Sequence, residues 1–256
     1  NETVAQHFYG LERPIVYRVH DVPEPERFQK LSTFISNYGY YMKALGRKNS
    51  KVSAEEIHPK EIQKLLQKIE GTPEEPMIAR LTLRSMKQAK YSTECTGHFG
   101  LACQYYCHFT SPIRRYPDMM VHRLLERYLA GGRSVIKNKY EEYCKHCSEM
   151  EMVASNAERS SIKYKQVEFM KDKLGQVFDG VVSGVTEWGL YVELNDNKCE
   201  GLVPIRDLDD DYYEFDDKNY CLLGRRTKRI YRLGDAITVK VAQANLERKQ
   251  LDFALV

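Results

Sequence analysis

Arg114 and Arg115 stand side by side in the segment Thr110 to Asp118, T-S-P-I-R-R-Y-P-D, which reads as a loop opening into a helix. A guanidinium presents its N–H donors in a planar fork, and the start of a helix leaves backbone N–H groups without intrahelical partners. Both features favour a phosphodiester, so this is the chain's strongest candidate for phosphate chemistry. Pro117 suits the first helical turn, where its missing N–H has no partner to lose. Val121, Leu124, Leu125 and Tyr128 then continue an apolar face at helical spacing. Upstream, His98 to Phe109 carries a half-buried strand pattern that leads into the loop. The bland alternative is that the two arginines cap nearby carbonyls or pair with carboxylates. Cysteine offers a second chemistry. Cys144 and Cys147 form a C-x-x-C around His146, and Cys103 and Cys107 lie four apart. The first pair falls in a helical pattern rather than a ligand-turning loop, which argues for reduced, structural thiols over zinc. Seven cysteines, an odd number, also argue against a secreted disulfide framework.

The stretch HFGLACQYYCHFTSPIRRYPDMMVHRLL resembles the signature near the end of the catalytic domain in the ribonuclease II and ribonuclease R family, with the ribonuclease R members the nearer match. NETVAQHF, YRVHDVPEPERF and RSMKQAKYSTE extend the resemblance backwards, and SIKYKQVEFMKDKLG carries it forwards, so that it covers essentially the whole chain. The resemblance implies a processive exoribonuclease that hydrolyses single-stranded RNA from the 3′ end to nucleoside 5′-monophosphates. Under it Arg114 holds the scissile phosphate, and Glu158, in the A-E-R segment of NAERSS, reaches the 3′-terminal nucleotide; these are the two expected catalytic residues. Arg115 and Tyr116 are expected to contact the RNA. Without the resemblance, Glu158 reads as a surface carboxylate paired with Arg159 or a neighbouring lysine.

The family binds magnesium through closely spaced aspartates near the start of its catalytic domain, and no D-x-x-D-x-D-D cluster occurs in this sequence. Magnesium is therefore expected to be bound by aspartates outside this chain, with no metal ligand inside it, and the chain alone is expected to be inactive. Asn1 is not preceded by an initiator methionine, and in the family NETVA follows earlier elements of the catalytic domain. That reads as the C-terminal portion of a longer polypeptide, whose N-terminal remainder would be a partner together with single-stranded RNA. The competing class is a non-catalytic RNA-binding protein with the same fold.

The elements that would position these residues follow from periodicity. Residues 15 to 20, IVYRVH, read as a strand. Pro23 and Pro25 introduce a helix with Phe28, Leu31, Ile35, Tyr38 and Leu45 on one face. A second helix spans Pro59 to Ile69 with Ile62, Leu65, Leu66 and Ile69 inward, and a third runs from Pro76 through Leu83 and Met86. One long polar helix covers roughly 138 to 173 and stops at Gly175. Beyond it, VFDGVVSGV, WGLYVEL, CEGLVPI, AITVKVAQA and KQLDFALV are short strands separated by turn signals, which suit an OB barrel, and their arrangement resembles the S1 RNA-binding domain. The fold class is thus α+β, and the resemblance implies the C-terminal part of a mixed helix/sheet RNB catalytic domain over residues 1–174 followed by a five-stranded OB β-barrel over 175–256.

By the same resemblance, Trp188 and Tyr191, with Phe178 as a third, map to aromatics that stack on bases. They could instead be barrel core, since residues three apart in a regular strand face opposite ways. The acidic stretch from Asp207 to Asp217 reads as a solvated loop, and RRTKRIYR, with Arg229 and Arg232, as the better contact for an RNA backbone.

Charge agrees with this layout. The 256 residues carry a net +3, with 26 Lys and Arg against 20 Asp and Glu in residues 1–170 and 13 against 16 thereafter. A mildly basic first part suits an anionic partner. No apolar run approaches the ~20 residues that span a bilayer, and no signal-peptide pattern opens the chain, so a soluble, cytoplasmic protein without a membrane partner is expected.

Overall fold

The computed structural model describes residues 1–42, 57–217 and 219–256. Two compact units emerge, each assembled from separated segments. The first takes Asn1–Ser32, Tyr40–Lys68 and Thr82–Ser155; the second takes Thr33–Gly39, Ile69–Leu81 and Asn156–Val256.

In the first unit, helix α1 (Glu2–Gly10) buries Ala5 and Phe8, one turn apart on one face. The IVYRVH run is buried almost throughout, but only β1 (Tyr17–Val19) is a paired strand, antiparallel to β2 (Lys90–Ser92). Helix α5 (Tyr116–Leu129) adds Met120, Val121 and Leu124 to the same core, and α6 (Lys137–Lys171) adds Cys144. Helix α2 (Pro25–Ser36) ends before Tyr38, because Asn37, Tyr38 and Gly39 turn their N–H groups back onto the carbonyls three residues earlier. Leu45 lies outside the described residues. Helix α3 (Pro59–Ile69) buries Ile62, Leu65 and Ile69 but leaves Leu66 exposed, one position off the apolar face. Likewise α4 (Glu75–Ser85) buries Met77, Ile78 and Leu81, whereas Leu83 is 72% exposed.

The strand expected before the arginine loop does not form. Phe99–Leu101 is a 3₁₀ turn, capped by His98 Nδ1 accepting from the Leu101 N–H at 3.2 Å. The extended chain that follows is held through single contacts, a bridge at Cys103 and the Arg18 N–H to Tyr106 carbonyl bond at 3.0 Å. Its alternation reflects a wall of rings in edge contact. His20 meets His98 at 5.1 Å, His98 meets Tyr106 at 5.3 Å, and His108 meets Tyr91 at 5.6 Å. Arg18 lies over the Tyr91 ring at 4.6 Å and grips Glu151 of α6 with both ends of its fork, at 2.6 and 3.0 Å.

The second unit is built on a closed five-stranded barrel in the order β10-β5-β4-β3-β9. Its strands are β3 (Val177–Thr186), β4 (Gly189–Leu194), β5 (Glu200–Pro204), β9 (Ala236–Asn245) and β10 (Gln250–Leu255). Four pairings are antiparallel, and β10 closes the barrel against β5 in parallel, the OB arrangement. Leu190, Val192, Leu194, Val203, Val239, Leu251 and Phe253 fill the interior at 1% exposure or less. Gly189, at φ +143°, begins β4 where an added Cβ would lie 2.1 Å from the Val203 carbonyl oxygen, so only glycine fits.

The acidic insertion is not the solvated loop expected from its composition. It supplies the first strand of a three-stranded antiparallel sheet: β6 (Tyr213–Asp216), β7 (Cys221–Gly224) and β8 (Ile230–Arg232). Asp211 gathers it by accepting the N–H groups of Tyr212, Arg226 and Thr227 and the Thr227 hydroxyl, and these bonds hold its carboxyl down at about 2 against the cost of desolvation. Tyr213 and Tyr231 are buried against each other behind it, with ring centres 5.4 Å apart. Among the described residues no helix is long and apolar enough to cross a membrane.

Burial, reinforced by neighbouring positive groups that include Arg18, pushes both His98 and His108 down to about 4. In the unfolded chain each titrates near 6.5, so between pH 6.5 and 4 unfolding takes up protons and stability must fall as the pH drops. Urea unfolding midpoints of the 256-residue chain should decline through this window. In His108→Gln, which keeps a polar partner for the Tyr91 hydroxyl, the decline should be shallower. An identical slope in the two proteins would show that His108 does not titrate with unfolding.

Candidate nucleic-acid interface

The arginine loop is a turn whose Arg114 and Arg115 N–H groups both reach the Ser111 carbonyl, at 3.3 and 3.0 Å. Arg115 is the N-cap of α5 with extended backbone (φ −127°, ψ 114°) and no side-chain cap, and Pro117 sits in the first turn as its chemistry requires. The two arginines then part. Arg115 turns inward, and its Nη2 donates to Asp118 Oδ2 at 2.9 Å; Asp118 is wholly buried. Arg114 is exposed, and among the described residues its guanidinium has no ion pair or hydrogen-bond partner. Ile113, fully exposed, precedes it, and Tyr116, 59% exposed, follows Arg115. Pairing with a carboxylate thus describes Arg115 and not Arg114. Asp118 was legible only as a helix opener, although the R-x-x-D spacing places a carboxylate one turn from Arg115.

Glu158 stands on α6 in the second unit, exposed, and among the described residues it pairs with neither Arg159 nor a lysine. Its carboxylate is therefore free for a ligand.

On the barrel, Trp188 is 66% exposed in the turn between β3 and β4, outside either strand, so the alternation that would oppose it to Tyr191 does not apply. Tyr191 lies on β4 opposite Leu202, half-buried on the outer face, and an added Cβ at Gly184 would stand 3.5 Å from its ring. Phe178 differs. It pairs with Val239, which is fully buried in the interior, so its ring takes the core side of β3 and is not displayed as Trp188 is.

The basic run is engaged by the acidic one. Arg225 pairs with Glu214 and stacks on Tyr212 at 4.7 Å. Arg226 donates to the Asp210 carbonyl at 3.0 Å, and Arg229 reaches Asp210 at 3.3 Å while covering the Tyr231 ring at 4.8 Å. Arg232 is exposed and, among the described residues, its side chain has no such partner. Opposite charges that read as separate stretches therefore neutralise each other across one small sheet.

Cys144 and Cys107 are fully buried, and burial pushes both thiols up to about 12. Among the described residues, no three His, Cys, Asp or Glu side chains are grouped to hold an ion.

Residues 1–131 match the RNB domain family, and residues 171–255 match the S1 RNA binding domain. The ribonuclease R of Aquifex aeolicus is 41% identical over the whole of this chain and 36% of its own length, and that of Thermotoga maritima is 42% identical with the same coverage. Among solved structures, the apo form of Mycoplasma genitalium RNase R superposes over the whole chain and 40% of its own, with a TM-score of 0.87 and 27% identity. The chain spans just over a third of the length of these curated relatives. Sequence and barrel topology agree: the chain belongs to the ribonuclease II and ribonuclease R family, with RNB-domain sequence followed by an S1 domain.

Proposed function

We propose that this chain is the C-terminal portion of a cytoplasmic 3′-to-5′ exoribonuclease that hydrolyses single-stranded RNA stepwise to nucleoside 5′-monophosphates, with residues 1–174 completing its catalytic domain and 175–256 forming its OB RNA-binding domain. One observation carries the reading. Among the described residues Arg114 is unpaired just before α5 while its neighbour is tied to a buried carboxylate, so its fork of donors is open to a phosphate. In the sequence relatives the same segment belongs to ribonuclease R, and M. genitalium RNase R has been solved with ribose-methylated single-stranded RNA.

In this reading Arg114 donates to the non-bridging oxygens of the scissile phosphate and offsets the charge that grows on them in the transition state. Glu158 orients the terminal nucleotide by accepting from its ribose. Arg115, whose fork is held by Asp118, contributes charge rather than a free donor, Tyr116 supports the adjoining backbone, and Trp188 and Tyr191 receive bases by stacking. Phe178, Arg229 and Arg232 take secondary places, Arg232 being the better backbone contact because its charge is not already paired. Nuclease chemistry of this class uses magnesium. The residues described in this chain do not fit such an ion, which would be bound through aspartates in the upstream portion of the polypeptide.

Arg114→Lys in the complete polypeptide keeps the charge and loses the fork. The single-turnover rate at saturating RNA should fall about a hundredfold or more, corresponding to roughly 3 to 4 kcal/mol of transition-state stabilisation, with RNA affinity changing far less. An unchanged rate would remove Arg114 from the mechanism. Trp188→Ala should weaken binding of single-stranded RNA by about 1 to 3 kcal/mol with the fold intact by circular dichroism. Because the barrel's unit includes residues 33–39 and 69–81, the titration belongs on the 256-residue chain rather than on an excised barrel. Undiminished binding would return Trp188 to the status of an exposed turn residue.

A further inference from the structure

One face of α5 grips the arginine loop at both ends. Asp118 and His122, four residues apart and so stacked one above the other on the helix, are the two grips. Asp118 Oδ2 accepts the Ser111 N–H at 2.8 Å and Arg115 Nη2 at 2.9 Å. His122 Nε2 lies 2.7 Å from the Phe109 carbonyl oxygen, which can only accept, so that nitrogen carries the proton and donates. The His122 ring also stacks flat on Phe109, 4.0 Å between centres at an angle of 6°. Residues 109 to 115 are thereby fixed at entry and exit, and Arg114 is the arginine left without a partner between them.

Asp118 is an unlikely choice for stability alone. It is completely buried at the end of a helix, yet its Oδ1 has no protein donor, and the Nε of Arg115 beside it has no acceptor. A buried ion pair with unsatisfied atoms commonly stabilises less than apolar packing of the same shape. What the pair does achieve is geometric. It withdraws Arg115 from solvent and pins the backbone from which Arg114 projects.

We infer that Asp118 and His122 are positioning residues for Arg114, holding the loop so that one guanidinium meets the scissile phosphate in one orientation. This rests on the proposed role of Arg114. A shift of about 1 Å in a transition-state donor can cost on the order of a hundredfold in rate, so a clamp remote from the phosphate can control turnover.

The test uses the complete polypeptide with Asp118→Asn, His122→Phe and His122→Gln beside Arg114→Lys, each assayed where circular dichroism shows it folded. Asp118→Asn keeps an acceptor for Ser111 and loses the charge that holds Arg115. His122→Phe keeps the stack and loses the donor, which His122→Gln restores. The expected result is a tenfold or greater fall in single-turnover rate for Asp118→Asn and His122→Phe, RNA affinity within about threefold of the parent, and partial recovery in His122→Gln. Simple electrostatics gives the opposite for Asp118→Asn, since removing a negative charge would tighten RNA binding and leave the rate alone. Should Asp118→Asn fail to fold, the two His122 variants decide the matter. Rates within twofold of the parent in the folded variants, with Arg114→Lys impaired, would overturn the clamp and leave the phosphate reading standing. An unimpaired Arg114→Lys would remove that reading, and the clamp with it.

Discussion

The contact between Arg115 and the buried carboxylate of Asp118 decides what the arginine loop can do. Two adjacent guanidinium groups repel each other, and on a mobile loop both would sample many orientations. Tying one of them to an acceptor inside the first unit removes that freedom and leaves the exposed fork of Arg114 just ahead of a helix N-terminus, which itself favours negative charge. The rest of the first unit supports this arrangement. Its core locks α5, and the wall of rings reaches the loop through His108, whose imidazole is pushed toward the unprotonated form by burial and by the nearby Arg115 charge.

The barrel follows another logic, in which charge is settled within the domain before any ligand arrives. Asp211 organises the turn at Thr227, and Glu214 and Asp210 occupy Arg225, Arg226 and Arg229. The barrel also offers aromatic surface, the exposed Trp188 with half-buried Tyr191 on β4. Stacking tolerates any base, because every base presents a π-face. Lys163, at the barrel end of α6, spends its ammonium on the Glu200 carbonyl, and burial lowers its affinity for a proton.

The sequence made most of the architecture readable, and the exceptions share a cause. Pro59 to Ile69, the long helix and the five barrel strands could be placed because their apolar residues recur at a fixed period and Gly or Pro closes them. Misplaced features were those set by partners distant in sequence. The extended run before the arginine loop alternates like a strand because its rings pack as a wall, with the chain meeting β1 through one bond. The acidic insertion reads as solvated because its counter-charges lie at 225 to 229. Phe178 reads from sequence like Trp188, and only its register with Val239 distinguishes the face it takes. At the loop itself, residue types located the arginines, but which of them is free depended on a carboxylate whose burial no local pattern announces.

Under the proposed function there is a division of labour, with this chain holding RNA and the metal-binding carboxylates supplied by the upstream portion of the polypeptide. Incubating a 3′-extended single-stranded RNA and magnesium with the purified 256-residue chain, alone and with the separately produced upstream portion, tests it directly. The chain alone should bind RNA with an affinity that weakens steeply as salt rises, and should release no nucleotide. Monophosphate release should begin only when the upstream portion is added. Magnesium-dependent release of nucleoside 5′-monophosphates by the chain alone would contradict the account.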